Sequence, residues 1–472
     1  MIGRKYELSI LRKTQESNRA ELGVVYGRRR VGKSFLLKSL KAKNELYFEA
    51  IRGLSLQEQI DHFCKQIAEQ TKTVPVAAKS WQEAFDTLSI YITSGRWYVV
   101  LDELPWMASE KPQLVSILKY YWDNKWKQNS KLTMVLCGSI AKFMVNHVVH
   151  SEVLHNRKTF EIKLEPLPCN EAALFFKKKR STYEITQFLM VFGGIPKYLE
   201  QLNANRSLVV NLEELCFKKG GFFVNEFETL FKEQFKVIRT YESIVRKLSE
   251  KKSTKEEIAD HLKKSSGGSL TTYLSNLENS DFIRKKASIS ISNSNLKTKT
   301  AKYEIWDEWL FFYFRYMEKN LKKIQMNTTE SVFHRLMSGS FDIYLGLAFE
   351  RFCQKNIEKI CSAMGISLWD LDTFGPYFQQ AKRTKEKIHS SPKGTQIDLI
   401  LKRKNILTIV ECKFTENPVD TKVIKEVERK IEFLQIPTKY TIEKVLISAS
   451  GATEAVHKED YFNQILGLDI FY

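Results

Sequence analysis

"ELGVVYGRRRVGKSFLLKSL", Glu21 to Leu40, is the stretch that decides the fold. A short apolar strand, Leu22 to Tyr26, runs into Gly27-x4-Gly32-Lys33-Ser34, and an amphipathic helix follows at once. Glycine lets the backbone wrap close to phosphate, and the loop amides join the helix N-terminus in cradling negative charge. Gly27, Arg28, Arg29, Arg30, Val31 and Gly32 form that cradle. Lys33 can reach the β and γ phosphates and the Ser34 hydroxyl can ligate magnesium, so ATP with Mg2+ is the expected occupant.

A phosphate loop needs an acid on a neighbouring strand before it can hydrolyse anything. "RWYVVLDELPW" supplies one: the apolar run Tyr98 to Leu101 ends in Asp102 and Glu103. Asp102 is expected to hold magnesium through water and Glu103 to polarise the attacking water. The next apolar run, Leu132 to Cys137, ends in Gly138-Ser139, which puts Ser139 beside the γ-phosphate. Arg157, in "LHNRKTFEIKLEPL", has two readings: an arginine finger reaching a neighbouring copy's nucleotide, or an ordinary surface arginine.

These residues together resemble the AAA+ branch of P-loop ATPases, in particular the archaeal-type ATPases that also occur in bacteria. The resemblance covers the opening "MIGRKYEL", the loop, the Asp-Glu pair, "LCGS", and "FGGIPKYL" at Phe192 to Leu199, which looks like the family's signature in its helical lid. It implies that Gly3 and Arg4 pack against the adenine, and that an ATPase core at 1–165 is followed by a lid at 166–236. Assembly into a homo-oligomer through the core is a further implication.

Composition bounds the partners. With 472 residues the chain exceeds one ordinary core, and Lys plus Arg exceed Asp plus Glu by 74 to 55, a net +19. Nucleic acid is the commoner polyanion for such a protein, so DNA is the expected partner. The seven cysteines are scattered without a CxxC, which suits a reducing compartment and argues against a Cys-ligated zinc. His147 and His150 stand three apart with no third ligand nearby in sequence. No signal-peptide core or membrane-length apolar run is present, so the expected location is cytoplasmic, away from any membrane.

From Ile238 the apolar positions recur at helical spacing in three short segments, to Leu248, Ile258 to Leu262, and Leu270 to Leu277. "DFIRKKASISIS" then reads as a strand. Three helices and a β-wing at 237–325 suggest a winged helix-turn-helix. Ser269, Thr271, Thr272, Tyr273, Ser275 and Asn276 would form its polar outer face, with Arg284, Lys285, Lys286 and the lysines from Lys297 to Lys302 on phosphates. A protein-interaction module is the competing reading. "KYEIWDEWLFFYFRYMEKN" is too aromatic for a surface helix, and its spacing favours core packing by Trp306, Trp309, Leu310, Tyr313 and Phe314.

At 326–472 a strand "QIDLIL", Gln396 to Leu401, is followed by "KRKN" and a second strand, "ILTIVECKF", Ile406 to Phe414. A four-residue connection, or a two-residue one, is expected to place Asp398 opposite Ile409 and diagonal to Glu411, with Asp398, Glu411 and Lys413 on one face; a three- or five-residue connection would break this. Two carboxylates and the Cys412 carbonyl are hard oxygen ligands of the kind Mg2+ or Mn2+ takes. Lys413 could hold the attacking water or offset phosphate charge. The spacing Asp-x12-Glu-x-Lys resembles the PD-(D/E)xK nuclease superfamily, a restriction-endonuclease-like α/β fold. That resemblance implies a further acid from a preceding helix, matched by Glu350 in "LGLAFERFCQKNIEKI". The tract "AKRTKEKIHSSPK", Ala381 to Lys393, reads as a basic loop near the DNA path or a solvated hairpin. The expected protein is an ATPase that binds DNA and cuts it through this domain. The alternative is a nucleotide-controlled DNA- or protein-binding switch with an inactive nuclease-like domain.

Overall fold

Five parallel strands form the first sheet: β1 Glu21–Tyr26, β2 Glu45–Glu49, β3 Trp97–Asp102, β4 Leu132–Gly138 and β5 Phe160–Lys163, in the order β2-β3-β4-β1-β5. Parallel strands are covered on both faces, which is why β1 and β4 read as near-continuous apolar runs rather than alternating ones. One face packs Val24, Phe48, Val99, Leu101 and Leu136 against a helical layer, and the other packs Val25, Val100, Val135 and Ile162. Helix α1 (Lys5–Glu16) lies on that second face, and α2 (Lys33–Lys38) follows the Gly27–Gly32 loop. The computed structural model describes residues 2–109, 111–139, 141–176, 179–235, 237–286, 289, 301–337, 339–379, 395–434 and 436–472.

The expected helical run after Pro166 is present and ends with α3 (Glu226–Gln234). Three further helices follow, α4 (Ile238–Glu250), α5 (Lys255–Leu262) and α6 (Gly268–Asn279). Thr254 caps α5 in a reciprocal capping box with Glu257, the arrangement that the Ser-Thr-x-Glu-Glu pattern encodes. An antiparallel pair, β6 (Ile283–Lys286) and β7 (Lys302–Ile305), closes this part, with Ile283 opposite Ile305. Lys297 and Lys299, the rest of the expected wing, and the Ala381–Lys393 tract lie outside the described residues.

The aromatic segment is divided between two structures. Lys302–Ile305 is strand, and the helix begins only at α7 (Glu308–Phe312), capped by the Asp307 carboxylate on the Leu310 amide at 2.6 Å. Trp309, Leu310, Tyr313 and Phe314 are buried, so the core reading holds for them. Trp306 is only half-buried and sits among three cations, Arg284, Lys286 and Lys355, at 4.4 to 4.7 Å from its ring.

The second sheet has the order β12-β11-β10-β9-β8, from β8 (Thr373–Gln379), β9 (Thr395–Arg403), β10 (Ile406–Lys413), β11 (Thr441–Ser448) and β12 (Gln464–Leu466). β9 is antiparallel to both of its neighbours, and β10, β11 and β12 run parallel. Helix α8 (Phe341–Lys355) packs on β10, and α9 (Lys422–Glu432) follows that strand. The β9–β10 register corrects the expected one. Ile406 pairs with Arg403 and Val410 with Leu399, which leaves a two-residue turn, Lys404-Asn405, and brings Asp398 level with Glu411 rather than opposite Ile409. Lys404 takes φ 41°, as tight hairpin turns require of a central residue. A shift of two preserves parity, so the three polar residues keep one face.

One hydrophobic core runs from Leu167 through Phe227, Ile244, Trp309 and Phe349 to Val410 and Phe471. Among the described residues no helix is long and apolar enough to cross a membrane. Phe349, fully buried on α8, lies 5.2 Å from the Phe414 ring and 6.1 Å from that of Phe352. Phe349→Ala is expected to cost about 3–5 kcal/mol of stability, read as a lowered urea midpoint with an unchanged m-value.

Candidate functional sites

The phosphate-loop geometry follows from backbone constraints. Gly27 has φ 155°, and a Cβ there would lie 2.3 Å from the Leu164 carbonyl oxygen, so no other residue fits. Gly32 takes φ 91° as the cap of α2. The Lys33 ammonium is buried and donates to the Gly27 and Arg28 carbonyls at 3.1 and 2.9 Å; burial lowers its pKa. Ser34 Oγ donates to Asp102 Oδ2 at 2.6 Å, and the Tyr47 hydroxyl donates to the same oxygen. Burial, then the Asp102 charge, raises the Tyr47 phenol far above its usual range.

Beyond Asp102 the chain turns sharply: Glu103 takes φ 54°, and its carboxylate accepts from Ser139 Oγ at 2.7 and 2.9 Å. The two expected catalytic residues from different strands are therefore in contact. Arg4 is buried and donates to the Val31 carbonyl at 3.0 Å and the Glu165 carbonyl at 2.6 Å, bracing the loop from behind. Gly3, with φ 70°, lets the Arg4 amide reach Glu171 Oε2 at 2.7 Å. Arg157 instead forms a bidentate pair with Asp123, at 2.9 and 2.8 Å, which holds that acid down at about 2.

The three loop arginines are all engaged. Arg28 meets Asp307 at 2.5 Å with both side chains about 2% exposed, Arg29 lies 3.6 Å from Glu233, and Arg30 pairs with Glu226. Glu226 and Glu233 belong to α3, and Glu226 also accepts from the Tyr198 hydroxyl at 2.6 Å.

The expected reading face of α6 is only partly a free surface. Asn276 is buried and donates to the Tyr241 hydroxyl at 2.6 Å, which removes it from the outer face. Ser269, Thr272 and Tyr273 line a cleft of about 620 Å3 together with Arg52, Trp106 and His147.

In the C-terminal part, Glu350, Gln396, Asp398, Glu411, Lys413 and Lys430 line one cavity of about 450 Å3. Asp398 Oδ2 accepts from the Cys412 amide at 3.0 Å, and Gln396 donates to Glu350 at 3.2 Å. Lys413 sits 3.1 Å from Glu411 and 2.7 Å from Glu426; burial lowers its pKa, but the two acids outweigh that and hold it high. Burial, then the neighbouring carboxylates, raises Asp398 to about 6 and Glu350 to about 8. Among the described residues no three His, Cys, Asp or Glu side chains converge as a metal cage. The acid pair holds Lys430 instead, 2.5 Å from Glu411 Oε2 and 4.0 Å from Asp398 Oδ1.

Lys430 and Asp307 were not anticipated as site residues. Lys430 carries a signal nonetheless: with Val423 and Val427 it completes an i, i+4, i+7 stripe, so a lysine stands on the buried face of α9.

Residues 1–202 match a family described as an ATPase domain predominantly from Archaea, and residues 313–429 match a family of archaeal and bacterial proteins of unknown function. An uncharacterized protein of Methanocaldococcus jannaschii is 29% identical over 357 residues, 75% of this chain and 76% of that one. Similar solved structures include a Walker-type ATPase of Pyrococcus abyssi, at 20% identity and TM-score 0.47, covering 67% of this chain and 96% of that one. Another is the ORC2 protein of Aeropyrum pernix, at 13% identity and TM-score 0.41, covering 68% and 94%. The N-terminal part is thus an α/β domain of the archaeal ATPase type, with a parallel-sheet P-loop core.

Two outcomes follow. Asp307→Ala leaves a buried guanidinium unpaired and is expected to cost about 3–5 kcal/mol, whereas joint replacement of Arg28 and Asp307 by Met and Leu costs much less in denaturant unfolding. Glu350 is raised from 4.5 to about 8, so its contribution is complete below pH 4.5 and is lost as pH rises through 8. Metal-free thermal stability should therefore decline over that window, and Glu350→Gln should flatten the decline.

Proposed function

We propose that this chain hydrolyses ATP and uses the nucleotide state to govern a metal-dependent nuclease site acting on DNA. The observation that carries the reading is that Glu350, Asp398, Glu411 and Lys413, from one helix and two strands, line a single cavity in a chain with an ATPase-type domain.

In the ATPase part, Lys33 would exchange the Gly27 and Arg28 carbonyls for phosphate oxygens. Ser34 and Asp102, already 2.6 Å apart, are the right hard oxygen donors for magnesium. Magnesium, when bound, neutralises charge between the β and γ phosphates. Glu103 would orient the attacking water, and Ser139, its present partner, would turn to the γ-phosphate. Arg4 serves by bracing the loop, and the adenine contact of Gly3 and Arg4 is part of the same proposal. The Arg157–Asp123 pair would have to open for Arg157 to act on a neighbouring copy.

In the C-terminal part, Asp398, Glu411 and the Cys412 carbonyl would hold Mg2+ or Mn2+, which supplies Lewis-acid charge at a scissile phosphate. The raised Asp398 and Glu350 fit a site that favours an added cation, and Lys430 stands in for one. Lys413 would position water or offset phosphate charge. The three helices α4 to α6 with β6 and β7 would act as a winged helix, and the net +19 supports a polyanionic partner.

A second reading, the nucleotide-controlled switch with an inactive nuclease-like domain, is favoured by the Lys430 ammonium on the acid pair. Incubation of the full chain with supercoiled and linear DNA, Mg2+ or Mn2+, and ATP separates the two. The nuclease reading expects cleavage that a Glu411→Ala/Lys413→Ala protein loses and that Glu103→Gln alters. DNA-stimulated ATP hydrolysis without any cleavage establishes the switch instead.

A further inference from the structure

Lys430 has a particular electrostatic setting. Its ammonium reaches the space shared by Asp398 and Glu411, at 4.0 and 2.5 Å, while its side chain is only 15% exposed. Glu411 has a lysine on each oxygen, Lys430 on Oε2 and Lys413 on Oε1 at 3.1 Å. Asp398 has one oxygen on the Cys412 amide and its other oxygen toward Lys430. Lys413 has an alternative partner in Glu426 at 2.7 Å, outside the acid pair; among the described residues Lys430 forms its ion pairs with the pair itself. The two lysines are therefore not equivalent. One is tethered from the side, and the other stands between the two acids.

We propose that Lys430 is a resident counter-ion of this site, a positioning residue that competes with a divalent metal for Asp398 and Glu411 and so sets the metal affinity. The inference rests on the nuclease reading and deepens it. Without metal, Lys430 relieves the repulsion of two buried carboxylates, which would otherwise work against folding. For metal to bind, the ammonium must leave the pair, and Arg429 beside it makes the vacated side of the cavity strongly cationic. An anionic phosphodiester is the ligand that such a displaced ammonium would meet. Metal and phosphodiester then favour each other by linkage, because each removes Lys430 from the position that opposes the other. The site would load metal poorly until a phosphate backbone is present.

The test is Mn2+ binding to the full chain by calorimetry, in an Asp102→Asn background that silences the ATPase metal position. Lys430→Met is expected to bind Mn2+ on the order of ten- to a hundred-fold tighter than the parent, since a competing charge about 4 Å away is gone. Lys430→Arg keeps the charge and should stay near the parent, and Asp398→Ala/Glu411→Ala should not bind. Addition of a non-cleavable phosphorothioate duplex should tighten Mn2+ binding to the parent and leave Lys430→Met nearly unchanged. Damage to the fold would weaken binding, so the tightening is a signature that a purely structural lysine does not give. Unchanged or weaker binding by Lys430→Met overturns the counter-ion role and leaves the nuclease reading intact. Mn2+ binding by neither parent nor variant overturns both.

Discussion

The ion pair between Arg28 and Asp307 is the constraint around which the molecule is arranged. Both groups are almost completely removed from water, which costs several kcal/mol per ion unless the partner is held in place. Their positions make that cost consequential. Arg28 is the second residue of the phosphate loop, and Asp307 is the cap of α7, 279 residues later. Neither can move alone, because an unpaired charge would be left in the interior. Glu308, the next residue, pairs with Lys355 at 2.5 Å, and Lys355 ends the helix that carries Glu350. One step before it, Gln354 donates to the Asp398 carbonyl at 2.9 Å. Polar contacts thus run from the loop to the acid cavity through a connector only two residues long. Whether they transmit the state of the loop depends on a second stable arrangement of the same groups, not on contiguity alone.

The two sites share a construction. Asp102 stands at the carboxyl end of β3, Ser139 just past the end of β4, and Glu411 to Lys413 at the end of β10. In each, a buried strand delivers polar side chains to a place where the chain leaves the sheet. Open α/β sheets offer their ligand crevices at such ends. The sheet supplies rigidity, and the last one or two residues present polar side chains.

Much of this was legible in the sequence because it is written locally. The loop from Gly27 to Ser34, the Asp-Glu pair after four apolar residues, and the capping box at Thr254 each follow from neighbours within a few positions. Features set by distant partners were not. The sequence allows a four- or a two-residue turn between β9 and β10, because Lys402 and Arg403 look like loop residues; both lie in the ladder, only Lys404 and Asn405 turn, and Asp398 therefore comes level with Glu411 rather than Ile409. From its polarity Asn276 reads as an outer-face residue, yet Tyr241, 35 positions earlier, takes its amide inside. The arginines of the phosphate loop were visible, but their acid partners Glu226, Glu233 and Asp307 lie some 200 to 280 residues away in chain order, and local pattern says nothing about them.

The single core that runs from Leu167 to Phe471 has a consequence for how such a chain can evolve. Proteins assembled from independent modules can exchange a terminal unit by recombination, since each unit brings its own interior. Here Trp309, Phe349 and Val410 belong to one interior shared by the helices after Pro166, by α7 and α8, and by the C-terminal sheet. A transplanted C-terminal sheet would arrive with half a core and expose the other half in its host. The C-terminal part is therefore expected to be inherited together with the helices it rests on, and to diversify by substitution in its cavity rather than by replacement.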